Sequence, residues 1–105
     1  MRDNRCVLLV FFDLPNATKP EATAYRKFRK CLIDEAYLQL QESVYTRMFH
    51  HPLNLSAEIS RIKQHLPDSG NIFVLPLKLS TFQKMMTLVG ESFDFSILSD
   101  TLLVL

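Results

Sequence analysis

An unbroken apolar run dominates the start of the chain. Residues 7–12 read VLLVFF, and they stand between the charged lead-in MRDNR and the sequence Asp13-Leu-Pro. A short apolar run without polar alternation is typical of a strand that is buried on both faces of a sheet. We therefore predict a central strand over residues 5–12, with a carboxylate placed directly after it.

The next segment has the periodicity of a helix. Thr18-Lys-Pro-Glu21 has the form of a capping box, and Pro20 is tolerated in a first turn because the N–H groups there lack intrahelical partners. At about 100° per residue, residues 19–36 then carry one broad apolar face. Its members are Ala22, Tyr25, Phe28, Leu32, Ile33 and Ala36.

Basic side chains gather on the other face of this predicted helix. Arg26, Lys27 and Lys30 project from it, whereas Arg29 falls inside the apolar arc and should snorkel or pair. The net charge of the whole chain is only +1. The local cluster is therefore more informative than the total charge, and it indicates either a nucleic-acid contact or an ordinary solvated surface.

Residues 37–49, YLQLQESVYTRMF, alternate as a half-buried strand does. Leu38, Leu40, Val44 and Met48 share one phase, and Glu42 interrupts it. We predict one long strand with a bulge or a dimer-facing position at residues 41–43.

The second half of the chain repeats the helix and strand signals. After a loop at residues 50–52, a helix should begin at Asn54 or Ser56, and Pro67 with Gly70 should end it. Residues 71–77 form another predicted strand, and Pro76 indicates that it lies near an edge or bends there. A short helix at residues 80–86 and an apolar tail from residue 93 complete the chain.

This order of elements predicts an α+β fold. It matches the ferredoxin-like βαββαβ sandwich if the long middle segment supplies the second and third strands. We expect one domain over residues 1–105, with residues 93–105 as an extra C-terminal strand or tail at a dimer or partner interface. Two helices cover only one face of the sheet, so we also expect a homodimer that uses the other face and the strand Thr101–Leu105.

Composition restricts the protein's class. Nearly half of the residues are apolar and Gly is sparse, which is typical of an ordered globular domain. No run approaches the roughly 20 apolar residues of a membrane span, so we expect a cytoplasmic protein without a membrane partner. Cys6 and Cys31 lie in apolar contexts, and we predict two buried thiols rather than a disulfide.

Asp13 permits two interpretations. In the first, Asp-x-Pro starts a turn, because Asp hydrogen-bonds nearby backbone N–H groups. In the second, a carboxylate held rigidly at a strand end ligates a hard divalent cation such as Mg²⁺, and two copies across a dimer axis supply the site. The adjacent histidines His50 and His51 cannot easily ligate one ion together, and Ser43 has no evident activating base.

Three stretches together resemble the CRISPR-associated endoribonuclease family, the small proteins that partner the CRISPR integrase in spacer acquisition. They are VLLVFFDLP, AYRKFRKCLIDEAY and LQLQESVYTR, and the likeness is closest to type II members. The resemblance covers nearly the whole chain. It implies a ferredoxin-like homodimer that holds the backbone of a double-stranded DNA and bridges integrase dimers.

The resemblance also implies roles for individual residues. Asp13 would face its dimer mate, bind a divalent metal such as Mg²⁺ and serve as the catalytic carboxylate. The first helix would contact nucleic acid through Arg26, Lys27, Arg29 and Lys30. We add Phe93 and Phe95 as a predicted patch for the integrase partner.

Two functional hypotheses follow. One is a DNA-binding scaffold within a spacer-acquisition complex, with possible metal-dependent cleavage of RNA or DNA. The alternative is primarily an active Mg²⁺-dependent phosphodiesterase, an endoribonuclease that acts independently of the integrase. A third, a ferredoxin-like domain that senses a small molecule, has no residue pattern that indicates its ligand.

Overall fold

The computed structural model describes residues 3–98, and the predicted C-terminal strand Thr101–Leu105 lies outside that range. The order of elements is strand, helix, two strands, helix and strand, followed by a short helix. Their bounds are β1 Cys6–Asp13, α1 Lys19–Asp34, β2 Leu38–Gln41, β3 Val44–Phe49, α2 Leu55–Lys63, β4 Asn71–Lys78 and α3 Leu79–Phe82. This is the α+β, ferredoxin-like βαββαβ order, as predicted.

The four strands form one antiparallel sheet in the order β2-β3-β1-β4. The apolar run is a central strand, because β1 pairs with β3 on one side and with β4 on the other. β4 lies at an edge, which confirms the interpretation of Pro76. Its missing N–H is tolerated because β4 has no neighbour on its outer side among the described residues.

The prediction of one long strand over residues 37–49 was wrong. The segment is a hairpin, with a turn at Glu42-Ser43 between β2 and β3. The irregularity lies one step earlier than the predicted bulge, since the pairing shifts between Gln39 and Gln41. Neither turn residue has a positive φ, so the turn lacks the Asn-Gly signal by which most short hairpins are recognised.

Helix α1 begins as the capping box predicts. The Thr18 hydroxyl accepts from the Glu21 N–H at 3.3 Å, and the Glu21 carboxylate accepts from the Thr18 N–H at 3.0 Å. The helix ends two residues before the predicted limit, because Ala36 adopts a φ of 67°. The N–H groups of Ala36 and Tyr37 then bond to the carbonyls of Ile33 and Leu32, which is a Schellman motif.

The main core lies between the sheet and the helices α1 and α2. Its centre consists of Leu8, Val10 and Phe12 of β1 with Phe28 and Leu32 of α1, all buried. Of the two free cysteines, Cys6 is buried as predicted, whereas Cys31 is half-buried. Within the described residues, no helix is long and apolar enough to cross a membrane.

The opposite face of the sheet is partly covered by the chain itself. Val7 and Met48 pack there against Leu79 and Phe82 of α3 and against Leu98. This self-cover was not expected, since the sequence suggested that only a second copy would occupy the face. The cover is incomplete, because Phe73 and Leu75 on β4 remain 67% and 44% exposed.

Candidate functional site

Asp13 is the last residue of β1 and lies opposite Asn71, the first residue of β4. Its side chain is exposed. Among residues 3–98 the Asp13 carboxylate accepts no hydrogen bond, so it does not make the backbone contacts that define a turn-forming aspartate. The structure thus presents a carboxylate whose oxygens have no partner within the described part of the chain.

The loop that precedes β4 rests on the backbone beside this carboxylate. Gly70 has a φ of +97°, and a Cβ at this position would lie 2.8 Å from the Asp13 carbonyl oxygen and 2.6 Å from Cδ2 of Leu14. Only glycine fits this close approach. The sequence pattern indicated Gly70 only as a helix terminator, so its contact with the Asp13 backbone was missed.

An aromatic cluster on the helix-covered face of the sheet packs against the end of β1. Phe12, the residue before Asp13, stacks on Tyr45 at a centroid distance of 5.6 Å and meets Phe28 edge-on at 5.3 Å. The Phe12 N–H also donates to the carbonyl of Ser43 in the β2–β3 turn at 3.0 Å. These contacts hold the strand end rigid, as a ligand or catalytic carboxylate requires.

One chain supplies a single carboxylate at this site. Across residues 3–98 there is no group of three or more His, Cys, Asp or Glu side chains that could hold a metal ion. Carboxylate oxygens suit a hard divalent cation, but one carboxylate makes a poor site. A cation here therefore requires ligands from outside the described chain, and a second Asp13 is the simplest source.

The predicted nucleic-acid residues lie together on α1, and all four are exposed. Arg29 pairs as expected, since its Nε donates to the Tyr45 hydroxyl at 2.9 Å. Lys30 differs from Arg26 and Lys27, because its Nζ lies 2.7 Å from the Asp34 carboxylate. This hydrogen bond raises the pKa of Lys30. Lys30 therefore stays charged with Asp34 as its counterion, whereas Arg26, Lys27 and Arg29 have no carboxylate partner among the described residues.

Phe93 and Phe95, the predicted partner patch, lie against the chain's own α3. The two rings are 5.2 Å apart, and they meet Phe82 edge-on at 5.9 and 5.5 Å. Both side chains are half-buried. They contribute to the cover over Val7 and Met48, and their predicted contact with a partner stays a prediction.

A buried ionic cluster, which the sequence did not reveal, lies at the other end of β1. Glu58 of α2 has no solvent exposure and contacts Arg47 at 2.6 Å and Arg61 at 3.2 Å. Arg47 also donates to the Glu35 carbonyl at 2.9 Å, which joins β3 to the end of α1. The only signal in the sequence was Arg47 between Tyr45 and Phe49, in the strand phase that faces the helices.

Comparison with known proteins gives one consistent family. The model of the family described as CRISPR associated protein Cas2 matches residues 6–85. A CRISPR-associated endoribonuclease Cas2 of Streptococcus mutans serotype c is 38% identical over 84 residues, which are 80% of this chain and 78% of the relative.

Other relatives have the same description. The one from Acidovorax ebreus is 36% identical over 83 residues, covering 79% of this chain and 81% of the relative. The one from Ligilactobacillus salivarius is 37% identical over 84 residues, covering 80% and 83%. The matched range includes Asp13 and all of α1, whereas Phe93 and Phe95 lie beyond the range of the family model.

Proposed function

Because the chain belongs to the Cas2 family of CRISPR-associated proteins, we propose that it acts in CRISPR adaptation as a homodimer. In this role it holds the backbone of duplex DNA and bridges integrase subunits during spacer acquisition. The observation that carries the proposal is the exposed basic row on α1, formed by Arg26, Lys27 and Lys30 with Arg29 beside it, in a chain whose net charge is only +1.

The row suits a phosphate backbone rather than base edges. Arginine and lysine on the surface of a helix reach phosphates without reading sequence. Arg29 is tethered by its Nε to the Tyr45 hydroxyl, which orients the guanidinium and lowers the entropy that is lost on binding. A dimer doubles the row, so its affinity for a long duplex exceeds that of one chain.

The sheet face supports a second copy as the partner. Phe73 and Leu75 lie on the same side of the sheet as Phe11 and Leu9, with which they pair directly. Large apolar side chains that stay exposed on a sheet face are typical of an interface. A symmetric dimer that packs through this face removes them from water, and a twofold axis near the end of β1 would also bring the two copies of Asp13 together.

We propose metal-dependent cleavage of RNA or DNA as the second activity. The relatives are named endoribonucleases, and Asp13 is an exposed carboxylate without an internal partner, placed at the end of a well-packed strand. Two such carboxylates suit Mg²⁺ or another divalent cation, which in phosphodiester hydrolysis polarises a phosphoryl oxygen and lowers the pKa of water. Arg26 and Lys27 would hold the nucleic-acid backbone, and Asp13 would supply the oxygen ligands.

The test of the proposed function is the salt dependence of DNA binding. The double variant Arg26→Gln/Lys27→Gln should bind duplex DNA more weakly whatever its base sequence. The slope of log affinity against log salt concentration should fall by up to about 0.9 for each lost phosphate contact. Lys63→Gln/Lys84→Gln makes the same charge change at exposed positions away from α1 and should bind as the unaltered protein does. Equal salt slopes in the two double variants would exclude α1 as the DNA surface.

A further inference from the structure

A cavity of about 320 Å³ lies at the end of the sheet opposite to Asp13. Its walls come from the end of β3, the loop that follows it and helix α2. The polar wall residues are Arg47, His50, Asn54 and Arg61, and Leu53 closes one side. No carboxylate side chain belongs to the described wall, and the volume is at the lower end of ligand pockets, roughly 300–1,000 Å³.

The guanidinium groups of Arg47 and Arg61 both donate to the buried carboxylate of Glu58. Arg47 contacts one Glu58 oxygen through Nη1, and Arg61 contacts the other through Nε. Among residues 3–98, no hydrogen bond uses Nη2 of Arg47 or either Nη of Arg61. The Arg61 side chain is 50% exposed. The buried carboxylate thus fixes both guanidinium groups and leaves N–H donors for another acceptor.

We propose that this cavity binds a phosphate group. Guanidinium forks match the oxygens of phosphate in geometry, and a tetrahedral oxyanion accepts bonds from donors on several sides. Arg47, Arg61, His50 and Asn54 bring such donors from a strand, a helix and the loop between them. Asn54 is available because its side chain makes no capping bond to α2.

Binding in this cavity depends on directed hydrogen bonds to the two arginines, and no surplus positive charge is present to offset a further carboxylate at the wall. Glu58 and Glu35, which contacts both arginines at 3.6 and 3.9 Å, balance the two positive charges. The phosphate belongs either to a small phosphorylated compound or to a nucleic-acid backbone, and the chemistry of recognition is the same.

The test adds a negative charge to the wall and leaves the arginines untouched. Leu53 is 81% exposed, so both Leu53→Glu and its neutral control Leu53→Gln should fold and melt as the unaltered protein does. Inorganic phosphate is titrated into each protein while the NMR signals of the arginine Nε–H groups are followed. We expect the Arg61 signal to shift in the control, with affinity about tenfold or more weaker in Leu53→Glu.

Equal phosphate affinity in the two Leu53 variants, or shifts spread over the surface without Arg61, would overturn the proposal. If phosphate binding is weaker in Leu53→Glu, the affinity of the same variants for duplex DNA identifies the source of the phosphate. A parallel loss of duplex affinity in Leu53→Glu indicates a backbone phosphate, whereas unchanged duplex affinity with lost phosphate binding indicates a small phosphorylated compound. Neither result depends on Arg26 or Lys27, so failure here is distinguishable from failure of the proposed function.

Discussion

Nη1 of Arg47 lies 2.6 Å from Oε2 of Glu58, a carboxylate with no solvent exposure. Arg61, the other partner of Glu58, is half-exposed, so Arg47 is the main compensation for a buried charge. Replacement of Arg47 by Met should lower the free energy of unfolding by about 3–5 kcal/mol, because an incompletely paired carboxylate stays in the core.

The double variant Arg47→Met/Glu58→Leu is the matched control for this prediction. It removes both charges, and we expect it to recover most of the lost stability, since apolar replacements of a buried ion pair are often neutral. Urea denaturation at one fixed protein concentration measures the free energy of unfolding of the single and the double variant. Equal losses in the single and double variants would show that the charge of Glu58 is not the cause.

Ala36 occupies a left-handed backbone position with a φ of 67°. Glycine adopts this conformation without a Cβ penalty, so Ala36→Gly should raise the free energy of unfolding by about 1 kcal/mol. Ala24→Gly in the middle of α1 should lower it by about the same amount. Denaturation midpoints that move in the same direction for both variants would contradict the Schellman ending.

Gly70 and Gly90 provide a matched pair of positive-φ glycines. A Cβ at Gly70 would lie 2.8 Å from the Asp13 carbonyl oxygen, whereas one at Gly90 would meet nothing within 4 Å. Both alanine variants carry the backbone cost of about 1–2 kcal/mol, and only Gly70→Ala adds the clash. Gly70→Ala should therefore be the less stable variant and should shift the amide NMR signals of Asp13 and Leu14.

The pairing of Lys30 with Asp34 predicts a gain of function. Asp34→Asn removes the carboxylate that contacts Nζ at 2.7 Å, which frees Lys30 and adds one positive charge to each chain. Duplex affinity should rise and its salt slope should become steeper by up to about 0.9 per new phosphate contact. Asp68→Asn makes the same change in charge away from this pair. An equal gain in that control would assign the effect to net charge alone.

Asp13→Asn tests the proposed metal site. The variant should fold at least as well as the unaltered protein, because in the proposed dimer the two Asp13 carboxylates repel each other when no cation is bound. It should lose Mg²⁺-dependent cleavage of RNA or DNA, and isothermal titration with Mg²⁺ should show no binding. Glu91→Gln is an exposed control that should retain both. Full cleavage by Asp13→Asn would exclude this carboxylate as the essential ligand.

The sequence was a good guide where the pattern is local and a poor one where partners are distant. The apolar run, the capping box and the amphipathic face of α1 predicted β1 and α1 correctly, because each signal lies within one element. The turn at Glu42-Ser43 was missed because the alternation of apolar residues continues on both sides of it.

In the candidate site, too, local features were visible in the sequence and contacts between distant residues were not. A carboxylate after a buried strand was visible in the sequence, and its position opposite Asn71 follows from the register of β1 and β4. The contact of Gly70 with the Asp13 backbone joins residues far apart in the chain. The Arg47–Glu58 pair likewise joins a strand to a helix, and no spacing rule links the two positions.

The cover that Phe82, Phe93 and Phe95 form over one end of the sheet also restricts how another chain can approach. A second sheet packed on this face would contact the three rings near Val7 and Met48. The uncovered part of this sheet face lies toward the opposite end, where Phe73 is exposed and β1 ends at Asp13. In the proposed homodimer, the aromatic cluster would therefore favour the offset in which the two strand-end carboxylates approach each other.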